Sequence, residues 1–462
     1  MTVRSLIFCL ALMPGAAFAQ SGNVQTKQYD DGGIYEGTFR GGLQHGQGTY
    51  RLPNGYEYTG DWVDGEIRGE GTARFPNGSV YEGGFSKGKP DGFGKITFAD
   101  GGTYEGEWQG GAIMGEGVRI YPNGDRIEGA FRNGKANGKA IMHTSGGYEY
   151  KGDWVDGAKT GIATITYPDG ELYDGQVSAG IRTGQGTLTT ADGLILEGTW
   201  TDNQLNGVGK VTQPNGDVYE GNLVDGRRDG AARVTHANGD IYEGEFKDDQ
   251  RHGQGTYTGS DGFQYVGTFV EGQIEGTGQI THPDGAIYVG AVSGGQPNGV
   301  GKMTYTDGAS YEGDWVEGLM QGQGRAVLPS GTVYVGAFSG AAKNGKGKVT
   351  TADGYTYDGD WVNDQHAGTG TSTYPDGSVY TGTFKDGKRH GTGKVVVPSG
   401  FTYEGDWDNG EITGEGIATY SSGAVYEGSF KNGKRDGFGT LRYATGEETT
   451  GEWESGTLNE DS

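Results

Sequence analysis

YEGSFKNGKRDGFGTLRYATG, residues Tyr426 to Gly446, is the stretch on which the chain turns, because nearly everything from residue 35 onward is a variation on it. Anchored on its first residue, the pattern returns at Tyr35, Tyr58, Tyr81 and so on to Thr449, always 23 residues on, in 19 copies without an insertion. Such uniformity is the mark of a tandem array in which each copy leans on its neighbours. The anchor is Tyr except at Ile127, Leu196 and Thr449, and the residue two further on is always Gly. Four after the anchor stands an aromatic or aliphatic residue, as in Phe39, Trp62 and Phe85. Tyr-x-Gly-x-aromatic alternates with period two, which predicts a strand with one buried face. A turn such as Asn432-Gly433 follows, then a second run containing a Gly-x-Gly pair, for example Gly437 and Gly439. Asn-Gly, Asp-Gly and Gly-Gly tolerate positive φ and mark hairpin turns. Each copy therefore reads as one β-hairpin, joined to the next by a connection such as Pro53-Asn54-Gly55.

The YEGxF…G…GxG…G pattern at this spacing resembles the MORN repeat, the membrane occupation and recognition nexus. The resemblance covers residues 35–456 as 19 units and implies an all-β fold, an elongated single-layer twisted antiparallel sheet of consecutive hairpins shaped as a rod or groove. Family members occur as modules in junctophilins, phosphatidylinositol phosphate kinases and a SET-domain methyltransferase, and lipid binding has been proposed for them. Unlike those examples, this sequence reads as repeats alone.

The remaining segments are short. Residues 1–19 read as a secretory signal peptide, with Arg4 in the positive n-region, an apolar run from Leu6 to Met13 too short to span a bilayer, and Ala17-Phe18-Ala19 as the cleavage site. Residues 20–34 read as an N-terminal strand that caps the sheet, and 457–462 as an acidic C-terminal tail. Cys9, the single cysteine, lies inside the signal, so the exported chain is expected to lack disulfide and thiol chemistry. Export places the protein in the periplasm, at the cell surface or outside the cell.

A formal net charge of −25 opposes generic binding to nucleic acid and disfavours anionic phospholipid surfaces unless the charge is segregated. It is segregated by repeat. Tryptophan occurs only four residues after an anchor, at Trp62, Trp108, Trp154, Trp200, Trp315, Trp361, Trp407 and Trp453, and the turns that follow it are acidic or neutral. Several phenylalanine repeats carry basic turns, most strongly Lys385, Lys388 and Arg389, and Lys431, Lys434 and Arg435. One reading is that neighbouring tips screen one another; another is that the alternating stripe docks a second rod in a fixed stagger. The aromatic row likewise admits two readings. It is the core of the sheet, or it is a groove floor whose rings stack on polysaccharide or acyl chains, with carboxylates such as Asp61 and Asp314 beside them.

Catalytic signals are missing. No nucleophile elbow, His-Glu-x-x-His helix or phosphate loop occurs, the seven His are scattered, and the Asp-Gly turns Asp169-Gly170, Asp284-Gly285 and Asp376-Gly377 lack the dense acid of a calcium loop. No cofactor or metal is expected. The expectation is a non-enzymatic exported scaffold that binds a protein or envelope component, self-association included; the alternative is a groove for polysaccharide or phospholipid head groups. The eight tryptophans and the six basic residues just named form the candidate interaction surface.

Overall fold

The computed structural model describes residues 23–459, so the signal read over 1–19 and the last three residues of the acidic tail lie outside the described part. Every regular element among the described residues is a β-strand. The chain divides into two compact bodies, one ending at Pro214 and the other starting at Asn215. In the first body, strands pair antiparallel with the next strand in sequence, from Gln25–Gln28 on Ile34–Arg40 through to Ile195–Thr201 on Gln204–Thr212. The second body repeats the arrangement from Val218–Val224 on Arg227–Thr235 to Glu448–Glu454 on Thr457–Leu458.

Each repeat contributes a seven-residue and a nine-residue strand, such as Glu57–Val63 and Glu66–Arg74. The turn between them holds two positive-φ residues, Asp64 at 49° and Gly65 at 91°, the mirror-image turn that suits the right-handed twist of paired strands. The link to the next repeat closes with Gly55 N–H on the Leu52 carbonyl at 3.1 Å and Leu52 N–H on the Tyr56 carbonyl at 2.8 Å. Adjacent tips are also tied directly, since Gly65 N–H donates to the Gln44 carbonyl of the preceding repeat at 2.9 Å.

The register explains the repeated glycines. Tyr58 faces Ala73 and Gly60 faces Gly71, after which the ladder slips, so that Trp62 faces Ile67 and Gly69 falls in a bulge at φ 108°. Across to the next repeat, Gly71 faces Gly83. Glycines thus form a bare track across the strands, and the anchor rings lie on it. A Cβ added at Gly71 would meet the ring and hydroxyl of Tyr58. The Tyr58 hydroxyl reaches past the glycines to donate to the Asp61 carbonyl at 3.0 Å. The core is consequently this face of the sheet, with Tyr35, Tyr58, Tyr81 and Tyr104 completely buried.

Candidate interaction surface

From Tyr288 onward in the second body the rings form an unbroken edge-to-face series: Tyr288 on Trp315, Trp315 on Tyr311, Tyr311 on Phe338, and onward to Tyr426 on Trp453, with centroids near 5 Å and planes close to perpendicular. Each such pair contributes roughly 0.5–1.5 kcal/mol beyond its burial. All eight indole Nε1–H groups donate to the carbonyl of the residue 14 earlier, from Trp62 on Gly48 to Trp453 on Gly439. None of the eight is more than 8% exposed. Their faces and polar edges are occupied from within, so the tryptophans of the candidate surface, Trp62, Trp108, Trp154, Trp200, Trp315, Trp361, Trp407 and Trp453, sit in the core.

The basic residues divide into two kinds. Arg389 and Arg435 lie over Trp407 and Trp453, guanidinium carbon to ring centroid 4.3 and 4.1 Å, and donate through Nη2 to the Gly410 and Gly456 carbonyls at 3.0 and 2.7 Å. They are half-buried covers of the aromatic row, each pinned to the next tip. Arg182 does the same over Trp200 in the first body, at 4.7 Å. Lys385, Lys388, Lys431 and Lys434 are exposed at the tips. Among the described residues no carboxylate lies within ion-pair distance of these four. The exposed tip residues Lys87, Lys89, Lys135 and Lys247 are in the same condition. Other tips neutralise one another, as in Arg40 with Asp64 at 2.7 Å, Arg132 with Asp156 at 2.9 Å and Arg227 with Asp248 at 3.4 Å. The arginine hydrogen bonds hold the Asp64 and Asp156 carboxyls below their ordinary range.

Sequence reasoning missed two roles. The residue nine after the anchor, as dissimilar as Ile67, Pro90, Lys159, His366 and Arg389, stands opposite the aromatic or aliphatic residue four after the anchor, for example Pro90 opposite Phe85 and His366 opposite Trp361. The carboxylates that precede four of the tryptophans are also committed. Asp61, Asp314, Asp360 and Asp406 accept the backbone N–H of Glu70, Gln323, Thr369 and Glu415 at 2.8–2.9 Å, at the amides the bulge leaves without ladder partners. In Phe39 and Phe384 repeats a threonine closes the same bulge, Thr38 on the His45 carbonyl and Thr383 on the His390 carbonyl. The signal was a run of short hydrogen-bonding residues three after the anchor, uninterpretable without the register.

The Asp-Gly connections also use their carboxylates internally, Asp284 accepting from Ala286 N–H at 3.0 Å and Asp376 from Ser378 N–H at 2.9 Å. Among the described residues no three His, Cys, Asp or Glu side chains are grouped to hold a metal ion.

Compared with known families, the chain matches the MORN repeat in eighteen stretches running from 35–55 to 426–448. The copy at Thr449, without its tyrosine, is not matched, although it forms the hairpin Glu448–Glu454 with Thr457–Leu458. Alsin of Rattus norvegicus is 43% identical over 49 residues, 10% of this chain and 3% of that protein. Among solved structures, the SAS-4 (dCPAP) TCP domain in complex with a proline-rich motif of Ana2 of Drosophila melanogaster is 14% identical, covering 43% of this chain and 90% of that one at a TM-score of 0.19. The TCP10 domain of Danio rerio CPAP is 13% identical, covering 58% and 99% at a TM-score of 0.14.

Proposed function

Since the chain belongs to the MORN repeat family, a non-catalytic scaffold type, we propose that it is an exported scaffold that binds a protein or cell-envelope partner through its hairpin tips. One observation carries this reading. In a chain of net charge −25, the tips of the Tyr380 and Tyr426 repeats present four lysines, Lys385, Lys388, Lys431 and Lys434, that their neighbours do not neutralise. The acidic tip of the Tyr403 repeat, with Asp408 and Glu411, stands between them. A partner with the opposite alternation of sign gains complementarity there and is steered to it by charge. Export rests on the leader read over residues 1–19.

The alternative, a polysaccharide or phospholipid head-group groove on the aromatic row, requires rings open to a ligand, and the eight indoles are buried. Head-group binding retains support only at the lysine tips. The test compares the chain from Gln20 with its K385Q/K388Q/K431Q/K434Q variant for binding to envelope polysaccharide, anionic vesicles and detergent-solubilised envelope proteins at increasing salt. Salt-sensitive binding to the protein fraction that the variant loses is the expected result. Equal binding by both proteins would remove the tips from the function.

A further inference from the structure

The aromatic row of the first body is interrupted at Ile127, and a hollow lies beside the interruption. Ile127 stands where other repeats place Tyr, so Trp154 lacks the upstream ring that Tyr81 supplies to Trp108 at 4.9 Å and Tyr35 to Trp62 at 5.1 Å. Two further positions change in the same repeat, the first to a smaller residue and the second to a larger one. Ala136 occupies the covering place held elsewhere by Ile67 or Arg389, and Ala140 replaces the second glycine of the track. At Leu196, where the tyrosine is also missing, the covering residue is Leu205, only 4% exposed and 3.1 Å from the place a Cβ on Gly198 would take. No such filler follows Ile127. The corresponding hollow two repeats earlier, walled by Tyr81, Pro90, Ile96 and Trp108, measures about 480 Å³ with its tyrosine in place; beside Ile127 and Ala136, with Met142, Trp154 and Tyr121, it widens to about 750 Å³. That is the size and character of a small-molecule site, apolar with few polar groups.

One of those polar groups is a cation. Lys159 lines the hollow, and its ammonium lies over the rings of Tyr148 and Tyr150, at 4.3 and 5.1 Å from their centroids, and donates to Tyr148 Oη at 3.1 Å. An ammonium has three N–H donors. Among the described residues no carboxylate pairs with it. Burial lowers its pKa and the more distant Asp125 partly offsets the effect. Asp125 is itself engaged with Ser145 N–H at 3.1 Å and Asn123 Nδ2 at 2.9 Å.

We propose that the hollow at Ile127 is a binding site for a small aromatic carboxylate, whose ring takes the space of the missing tyrosine and whose carboxylate meets Lys159. A ring edge-on to Trp154 completes the series that Ile127 interrupts. A single negative charge suits a site with one inward cation and the Asp125 carboxylate at its rim; a dianion would be repelled by the latter.

The experiment uses the chain from Gln20 and 3-(4-fluorophenyl)propionate, observed by fluorine NMR, with the corresponding neutral amide as control. Expected are saturable shifts with the carboxylate and affinity weaker by about tenfold or more for the amide, the loss of one charge-assisted contact. Ile127→Tyr should weaken binding by narrowing the hollow toward the size found beside Tyr81, Ala136→Ile should abolish it, and Lys159→Met should reduce the carboxylate to the level of the amide. Tyrosine is accommodated over a Gly/Ala pair at Tyr150, where Gly152 faces Ala163, so Ile127→Tyr is compatible with the fold. If it nevertheless fails to fold, Ala136→Ile fills the hollow from the opposite strand. Absence of saturable binding, equal affinity for the amide, or full binding by the filled variants would overturn the proposal.

Discussion

A Cβ added at Gly313 would collide with the Gln323 carbonyl and the Gly324 Cα, both backbone atoms, whereas one added at Gly324 would meet only the Tyr311 ring. A ring can shift slightly and a paired backbone cannot. Nature has tried the second case: Ala163 occupies the corresponding place beneath Tyr150, which stays fully buried. Gly313→Ala should therefore destabilise by about 2–3 kcal/mol and Gly324→Ala by about 1 kcal/mol or less. Urea unfolding of the two variants checks the order, and equal losses would refute the account of the glycine track. His366 makes a second residue-scale case. Its imidazole stacks on Tyr357 with centroids 3.7 Å apart, and burial, helped by Lys343, lowers its pKa from the ordinary 6.5 to about 4. Above pH 6.5 the folded and unfolded chains both hold it neutral. As pH falls from there toward 4 only the unfolded chain takes up the proton, so stability is lost across that window. Thermal melting should show a loss between pH 7 and 5 that His366→Ile, the residue type at Ile412, lacks; parallel profiles would contradict it.

At the scale of the hairpin, strand, turn and link were legible because each is written in local chemistry: period-two alternation, positive-φ dipeptides and the Pro-Asn-Gly connection. The bulge was not, since a slip of register leaves no mark in the spacing of one strand. Nor was the shared role of Pro90, Lys159 and Arg389, because a position that only has to cover a ring accepts any side chain with an apolar body. For the same reason Arg435 and Lys434, adjacent and alike in sequence, differ in structure. Arg435 covers Trp453 and bonds the Gly456 carbonyl, while Lys434 projects into solvent. Arg435→Gln should raise amide exchange in the strand Glu448–Glu454 by an amount equivalent to about 1–2 kcal/mol. Lys434→Gln should leave it within about 0.5 kcal/mol of the parent. Equal exchange in the two variants would return Arg435 to the free surface.

At the scale of the whole molecule, repetition concentrates information in exceptions. Tips tied to their neighbours and rings locked edge-to-face make each copy depend on the adjacent ones, the nearest-neighbour logic of tandem arrays. Against that regularity the unneutralised lysine tips and the Ile127 hollow are two places where the described chain departs from self-satisfaction. The aromatic row was legible as a row; that its rings are enclosed followed only from the glycine track beneath and the covering residues above. The most direct test of this enclosure is the intrinsic fluorescence of the chain from Gln20, since all eight tryptophans share one position in the repeat. Iodide and caesium quenchers, of opposite sign, separate true shielding from repulsion by the −25 charge. Blue-shifted emission that resists both is the predicted result. Red-shifted emission quenched by either would contradict a buried row and restore the rings as a binding surface.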